Sequence, residues 1–349
     1  MALEILPYTA DRIEAVRAFN MRLESHGFSA DHEQFPETPH PGWLPGLQLF
    51  LAADGESVHG GYILRRQQFS LNGQEVTAAH YRLPLSEGVI DRAYSMLGLR
   101  MVRDALARES RLYAMGMGGW DKPLPQMLKR LGWQISSVPF YFKVVHPHPF
   151  LRNIRALRTS FPRRLALDAA AFTGAGWAGM KALGISRRLP VQKVDLAPDF
   201  AGWADRIWQQ ARAQYPLLAV RDARTLDELY PASNPRFLRV RTPHGWALLL
   251  DTKMRDHKQF GDMRVGTLVD CLAPPASAAS VVRAAAGLLE QRGVDLIVSN
   301  QSHGAWSKAL FEAGFRTGPS NFLVALSPAL AKAAEFHFNR GDGDGPIHL

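Results

Sequence analysis

Two short stretches of the sequence place side chains that can accept or donate a proton inside apolar runs. LVDCLAP contains Asp270 and Cys271, and AAHYRLP contains His80 and Tyr81. A carboxylate within an apolar run costs free energy unless it is paired or has a function. Asp270 is therefore the leading candidate for a general base, with a salt-bridged Asp270 as the alternative. His80 is the second candidate base, with a structural histidine as its alternative, and Cys271 is expected in the core.

The elements that would position these residues follow one order twice along the chain. The first half reads as a strand, a helix starting near Asp11, three strands separated by DGE and NGQ, a helix, a strand, a short helix and the final strand ISSVPFYFKVV. Asn-Gly between two strand-like runs predicts a hairpin. From about residue 195 the chain reads as a helix, two strands, a helix, the strand DLIVSN, a helix and the strand SNFLVALS.

The clearest sign of a repeat lies near the end of each half. MGMGGWDKPLPQMLKRLGW at 115–133 and VSNQSHGAWSKALFEAGF at 298–315 each contain an apolar run, a break, a short amphipathic stretch, and a glycine followed by an aromatic residue. Equivalent marks at Gly132 and Gly314 indicate two copies of one α+β unit.

Composition excludes several classes of protein. A length of 349 residues with an apolar fraction of 46% predicts two domains with sizeable cores. The single cysteine can form neither an internal disulfide nor a multi-cysteine zinc site. The start MALEILPYTADRIEAV has no basic segment followed by an apolar core, which predicts a cytoplasmic protein.

The formal net charge of +9 is concentrated in one segment, 148–193, where nine Lys and Arg residues face one acid, Asp168. Its first part, PFLRNIRALRTSFPRR, predicts a basic amphipathic helix whose apolar stripe includes Phe150 and Ile154. A weakly apolar stretch at 165–185 follows. Together they predict a segment at 150–188 that lies on the anionic inner face of a membrane. A packed linker and a tRNA-binding segment are the alternatives, and other nucleic-acid binding is not expected.

The repeated order of elements resembles the GNAT (N-acetyltransferase-like) acyltransferase superfamily in a tandem arrangement, including its Fem-like branch. The resemblance implies an α+β fold of two tandem GNAT-like domains, each a mixed, mostly antiparallel sheet flanked by helices, at 1–147 and 194–329. A basic helical insertion at 148–193 would join them, and 330–349 would form a flexible tail. The resemblance also implies acetyl-CoA or another acyl-CoA as co-substrate, an amine or hydroxyl acceptor, and no metal.

In GNAT proteins a loop before a helix holds the CoA pyrophosphate through backbone N–H groups and the helix dipole. The resemblance places Gly98 of DRAYSMLGLR in this loop in the first half. In the second half it places four small residues there: Ser277, Ala278, Ala279 and Ser280. A capped helix start is the alternative. Asn300 and His303 would orient a substrate carbonyl, with helix capping as their alternative.

The tyrosine with which this family protonates the departing thiolate lies four residues before the repeat glycine. Leu128 and Leu310 occupy those positions. Another group must then supply the proton, or one half does not catalyse. Three functions follow from the resemblance: an acyl-CoA-dependent transferase acting on a cell-envelope sugar or lipid intermediate, a Fem-like transferase using aminoacyl-tRNA, and a non-catalytic scaffold of a polysaccharide assembly system.

Overall fold

The structure, a computed structural model, describes residues 3–27, 34–42, 46–155, 194–331 and 335–343, with several positions between 166 and 179. The chain divides into two compact units, neither of which is continuous in sequence. Unit 1 comprises Met1–Phe69, Gln74–Ser136 and Asn321–Ala334, and unit 2 comprises Ser70–Gly73, Ser137–Ser320 and Glu335–Leu349. Both contain a mixed sheet flanked by helices, so the predicted fold class is confirmed, whereas the expected continuous domains at 1–147 and 194–329 are not what the chain forms.

Unit 1 is built on one sheet between two layers of helix. Its strands are β1 (Glu4–Pro7), β2 (Leu47–Asp54), β3 (Ser57–Leu71), β4 (Gln74–Ser86), β5 (Leu112–Met115) and β6 (Gln134–Ser137), and its helices are α1 (Ile13–Ser25), α2 (Leu97–Arg108) and α3 (Pro123–Arg130). Successive residues of a strand face opposite sides of a sheet. Accordingly Phe50 packs with α2 and α3, and Leu51 packs with α1. Asn72 and Gly73 between β3 and β4 both have positive φ, as the predicted Asn-Gly turn requires.

Unit 2 also contains a mixed sheet with helices. In chain order its elements are β7 (Phe140–Val144), α4 (Pro147–Asn153), β8 (Asp195–Ala197), α5 (Gly202–Ala211), β9 (Leu217–Ala219), α6 (Ala223–Leu229), β10 (Leu238–Thr242), β11 (Gly245–Lys253), β12 (Arg264–Leu272), α7 (Ala278–Gln291), β13 (Leu296–Asn300), α8 (Gly304–Glu312) and β14 (Arg316–Gly318). The chain then forms β15 (Leu323–Leu326). The helix α8 ends just before Gly314, as its sequence mark predicted.

Each sheet includes a strand from the other half of the chain. The strand order is β1-β2-β3-β4-β5-β15-β6 in the first sheet and β14-β7-β13-β12-β11-β10-β8 in the second. Thus β15, from the second half of the chain, pairs antiparallel with β5, and β7, from the first half, lies between β13 and β14. The sequence predicted one strand at 135–145, but Pro139 divides β6 from β7 because proline cannot donate to a strand ladder.

Each sheet contains one pair of parallel strands that are hydrogen-bonded over only a short stretch. In unit 1, β4 and β5 pair at Ala79↔Leu112 and His80↔Tyr113, although β4 continues to Ser86. In unit 2, β12 and β13 pair from Val265↔Leu296 to Leu268↔Ser299, although β12 continues to Leu272. Beyond these registers the ladder of each pair stops among the described residues, so the carboxyl ends of the two parallel strands separate. The gap between them is called the slot of that unit.

The start of the predicted basic insertion and a few positions between 166 and 179 lie in the described part. The helix α4 begins at Pro147 and ends at Asn153, earlier than the stripe ending at Phe161 predicted. Phe150 and Ile154 are buried in a core of unit 2 with Met263, as the packed-linker alternative requires. Arg158 and most of 165–185 lie outside the described residues. Among the described residues, no helix combines the length and apolar character needed to cross a membrane.

Candidate functional site

The slot of unit 1 opens at His80, the last residue of β4 that pairs with β5. Its imidazole is 2% exposed and stacks on the Tyr113 ring, with centroids 4.7 Å apart and planes at 11°. Neither ring nitrogen has a hydrogen-bond partner among the described residues. Burial, reinforced by the charges of Arg82 and Arg65, holds the pKa of His80 well below its ordinary value. The ring is therefore neutral, with one donor and one acceptor available to a ligand.

On the other face of the sheet, two more buried polar atoms have no partner among the described residues. Tyr81 is 1% exposed and Trp133 is 4% exposed, and both belong to the core formed with Leu97 and Leu128. The Tyr81 Oη and the Trp133 Nε1 make no hydrogen bond within the described part of the chain. Burial raises the pKa of Tyr81, so the phenol stays protonated. Two unpaired donors in one apolar core are costly unless a ligand accepts from them.

The helix α2 begins next to this slot. Its N-cap residue, Met96, provides no side-chain hydrogen bond, and its side chain is 58% exposed. The first N–H groups of a helix have no partner within the helix and form the positive end of its dipole. A Cβ on Gly98 would lie 3.8 Å from the Met127 Sδ of α3. This is an ordinary van der Waals distance, so the packing of α2 against α3 would also accept a small side chain at this predicted cofactor residue.

The slot of unit 2 is filled by the chain itself. Residues 335–343 form single bridges at Leu218↔His337 and Gln301↔Asn339. The Phe338 N–H donates to the Ser302 Oγ over 2.8 Å, and the His337 Nε2 donates to the Cys271 carbonyl oxygen over 3.1 Å. The expected flexible tail at 330–349 is therefore wrong for these residues, because the side chains of His337, Phe338 and Asn339 are at most 1% exposed.

Asp270 lies in unit 2, next to this strap of residues 335–343, at the centre of a buried ion network. Its Oδ2 accepts from the Arg221 Nε and from the Tyr230 Oη, each over 2.7 Å, and its Oδ1 accepts from the Asn339 Nδ2 over 2.9 Å. The Arg221 Nη2 also donates to the Asp342 Oδ1 over 2.6 Å. Asp270 itself is 0% exposed. These contacts are those of the paired carboxylate named as the alternative to a general base.

The other predicted residues of the second half surround the start of α7 and the end of β13. Ser277 is the N-cap residue of α7 without a side-chain cap, the Ser280 Oγ donates to the Ser277 carbonyl, Ala278 is buried and Ala279 is partly buried. The Asn300 Nδ2 donates to the Pro139 carbonyl over 3.2 Å. The His303 Nδ1 accepts from the Ala305 N–H, so His303 caps α8. His80 and Gly98 lie in unit 1.

Sequence reasoning missed two aromatic side chains of unit 1, the ring that stacks on His80 and the second buried donor. Tyr113 belongs to the strand RLYAMGMG, where its pairing with His80 depends on the register of β5. Trp133 directly follows Gly132 in the glycine-aromatic mark of the first half. This mark was the signal in the sequence that could have identified Trp133. Leu128 and Leu310, which replace the family's tyrosine, are both fully buried in the cores.

Several solved structures share this arrangement of strands and helices. A conserved protein of Enterococcus faecalis V583, described as a probable N-acyltransferase, covers 93% of this chain and 72% of its own, with 9% identity and a TM-score of 0.53. A GCN5-related N-acetyltransferase from Anabaena variabilis gives the same values. Saccharomyces cerevisiae N-myristoyltransferase with bound myristoyl-CoA has 11% identity, covers 93% of this chain and 78% of its own, and has a TM-score of 0.52.

No protein-family model matches the chain, and no curated protein matches it either. At 9–11% identity the likeness concerns the fold alone. The chain has the fold of the GNAT-type acyltransferases.

Proposed function

We propose that this protein is an acyltransferase that binds acyl-CoA in the slot of unit 1 and transfers the acyl group to an amine or hydroxyl. The contrast between the two slots carries the proposal. In unit 1 the core on one face of the sheet contains two buried donors without partners among the described residues, at Tyr81 and Trp133. The slot of unit 2 is occupied by residues 335–343. Parallel pairs that separate in both units also support the tandem reading of the chain.

The chemistry of CoA matches the residues around the first slot. The pantetheine arm carries two amide carbonyls, which accept the kind of hydrogen bond that the Tyr81 Oη and the Trp133 Nε1 can donate. The pyrophosphate is anionic and suits the uncapped start of α2 beside Met96 and Gly98. Structurally similar proteins are described as acyltransferases, one of them with bound myristoyl-CoA.

Two finer points belong to the proposal. The acceptor is an amine or hydroxyl of a cell-envelope sugar or lipid intermediate, and the basic segment at 150–188 would hold the protein at an anionic membrane surface. A Fem-like reaction with aminoacyl-tRNA would instead use that segment to bind RNA. Most of the segment lies outside the described residues, and the buried Phe150 and Ile154 are engaged within unit 2.

Calorimetric titration with acetyl-CoA and with a long-chain acyl-CoA tests the donor site. Met96 and Ala276 are exposed residues at the starts of α2 and α7, so a glutamate at either position should leave the fold intact. We expect Met96→Glu to weaken CoA binding by about tenfold, because a charge a few ångströms from the pyrophosphate repels it. Ala276→Glu is the matched control and should leave the affinity unchanged.

The reverse pattern, in which only Ala276→Glu weakens binding, would move the donor site to unit 2 and contradict the proposal. If neither CoA binds, aminoacyl-tRNA becomes the next ligand to test. A chain that binds none of these ligands would fit the non-catalytic scaffold.

A further inference from the structure

Exposed apolar side chains lie in the two connections that follow the parallel strands of unit 1. The connection after β4 spans residues 87–96, and the connection after β5 spans residues 116–122. Because the slot lies between the carboxyl ends of β4 and β5, we call these two connections the slot rim. Six large apolar side chains are exposed in the described part of the chain, and three of them, Val89, Met96 and Trp120, belong to the rim.

Cations without ion pairs surround these apolar side chains. Six Lys and Arg side chains of the rim and of the helices α2 and α3 are exposed and form no ion pair among the described residues: Arg92, Arg100, Arg103, Lys122, Lys129 and Arg130. Elsewhere in unit 1 the exposed Arg17 is paired with Glu14. The exposed acids of the rim and these helices are Asp91 and Asp121. Six cations against two acids give this part of unit 1 a positive surface.

The positive surface extends along α2. Met96, Arg100 and Arg103 are all exposed and are spaced at i, i+4 and i+7, so they share one side of the helix. Arg103 lies about 10 Å along the helix axis from Met96, at 1.5 Å per residue. The helix α7, which follows β12 in unit 2, contains one cation, Arg283. The basic stripe is thus a feature of the helix beside the unit 1 slot.

The slot indicates what kind of anionic partner this surface fits. A pantetheine arm that enters the slot leaves its phosphate at the start of α2, so the group attached to that phosphate lies on the rim. In acyl-CoA this group is one nucleotide, which covers a small area. In an acyl carrier protein it is a serine of an acidic protein, which covers a larger area. Apolar side chains surrounded by cations complement such a protein in both contact and charge.

We propose that the unit 1 slot also accepts the acylated phosphopantetheine arm of an acyl carrier protein, and that this protein docks on the slot rim and the basic side of α2. This inference rests on the proposed acyltransferase function. In the transfer the acceptor nitrogen or oxygen bonds to the thioester carbon, and the C–S bond breaks. The proton lost by the acceptor ends on the sulfur of the arm, and the carrier protein leaves with a free thiol.

Binding of an acyl carrier protein of fatty-acid synthesis tests the docking surface. The carrier protein is loaded with a hexadecanoyl group, labelled with a fluorophore and titrated with the full-length chain at low ionic strength, with fluorescence anisotropy as the readout. The acylated carrier protein should bind more tightly than its apo form, which lacks the arm. Hexadecanoyl-CoA should displace it, because both pantetheine arms use one slot.

A charge reversal separates docking of the carrier protein from binding of CoA. Arg103→Glu should weaken binding of the acylated carrier protein by about tenfold at low salt, because an attraction becomes a repulsion of similar size. The affinity for hexadecanoyl-CoA in calorimetry should stay unchanged, since Arg103 lies about 10 Å from the start of α2. The matched control is Arg283→Glu, which reverses an exposed charge on α7 and should change neither affinity.

Melting temperatures show whether each variant is folded. If Arg103→Glu is unstable, Arg103→Gln takes its place and should give a smaller loss in the same direction, because it removes the charge without reversing it. Raising the salt concentration should weaken binding of the carrier protein to the wild-type chain and reduce the difference between the wild type and Arg103→Glu, since salt screens exposed charges.

The docking surface and the proposed function fail in different ways. If hexadecanoyl-CoA binds but the acylated carrier protein does not, the docking surface is overturned and the proposed function stands. Equal losses of carrier binding in Arg103→Glu and Arg283→Glu would also overturn it, as would an equal loss of CoA affinity in Arg103→Glu, which would assign Arg103 to the nucleotide.

The remaining outcomes concern other partners. Arg103-dependent binding of tRNA or of vesicles containing phosphatidylglycerol, without binding of the carrier protein, would assign the positive surface to that polyanion and overturn the docking proposal. Binding of the carrier protein without binding of hexadecanoyl-CoA would support the docking surface and overturn acyl-CoA as the donor. If neither binds, the proposed function and the docking surface are both overturned.

Discussion

Replacing Arg221 with methionine should lower the free energy of unfolding by about 3–5 kcal/mol at neutral pH, the cost of removing one partner from a buried ion network. Arg221 is 2% exposed and pairs with Asp270 at 2.7 Å and with Asp342 at 2.6 Å. Its removal leaves two carboxylates facing each other without a counter-charge. Denaturant unfolding of the two proteins would measure the difference.

The deficit of Arg221→Met should shrink as the pH falls. Burial raises the pKa of Asp342 above its ordinary value, although Arg221 opposes the shift. A carboxyl whose pKa is raised in the folded state takes up a proton more readily when folded, so acidification favours the folded variant relative to its unfolded state. The unfolding series should therefore be repeated at lower pH. A difference in unfolding free energy that stays constant with pH would show that the unpaired carboxylates are not its cause.

The matched control is Arg224→Met. Arg224 pairs with Glu228 on the surface of α6, with 88% and 54% of the two side chains exposed. Exposed pairs contribute little, so this change should stay within about 0.5 kcal/mol. Equal losses in the two variants would contradict the view that the network around Asp270 holds unit 2 together.

Phe338→Ala should cost about 3–5 kcal/mol, as large-to-small changes of buried aromatic residues do. Phe338 is 0% exposed, and its backbone bonds to Ser302 tie the strap to the end of β13. Phe336, two residues earlier, is only partly buried, so Phe336→Ala should cost clearly less. The comparison by thermal or denaturant unfolding separates a packed strap from a loosely attached tail, since a loose tail would give two small and similar effects.

Much of the fold was predictable because its signals are local. Apolar spacing predicted α2 and α8, Asn72 and Gly73 predicted the hairpin turn, and the glycine-aromatic mark at Gly314 predicted the end of α8. The exchange of β7 and β15 was not predictable, since an apolar alternating run specifies a strand but not its neighbour. The strap escaped prediction because a polar, glycine-rich composition resembles that of disordered segments.

The candidate site was predictable only in part, because its side chains come from distant parts of the sequence. Apolar surroundings indicated that Asp270 is paired or functional, but its partners Arg221 and Asn339 are distant in sequence and carry no pattern that points to Asp270. His80 was recognised as a candidate from its strand, whereas its stacking on Tyr113 follows from the register of a parallel pair. Side chains that meet through long-range pairing leave no periodic trace in the sequence.

The exchanged strands also govern how the protein can be made. During synthesis β5 leaves the ribosome long before β15, the strand that pairs with it in the finished sheet. Until then one edge of the first sheet remains open to water and to other chains, which is a state prone to aggregation. A chain ending at residue 147 would keep that open edge permanently and would carry β7 without β13 and β14. The two halves of the full-length protein therefore complete their sheets together. We expect the nascent chain to remain prone to aggregation until β15 has been translated.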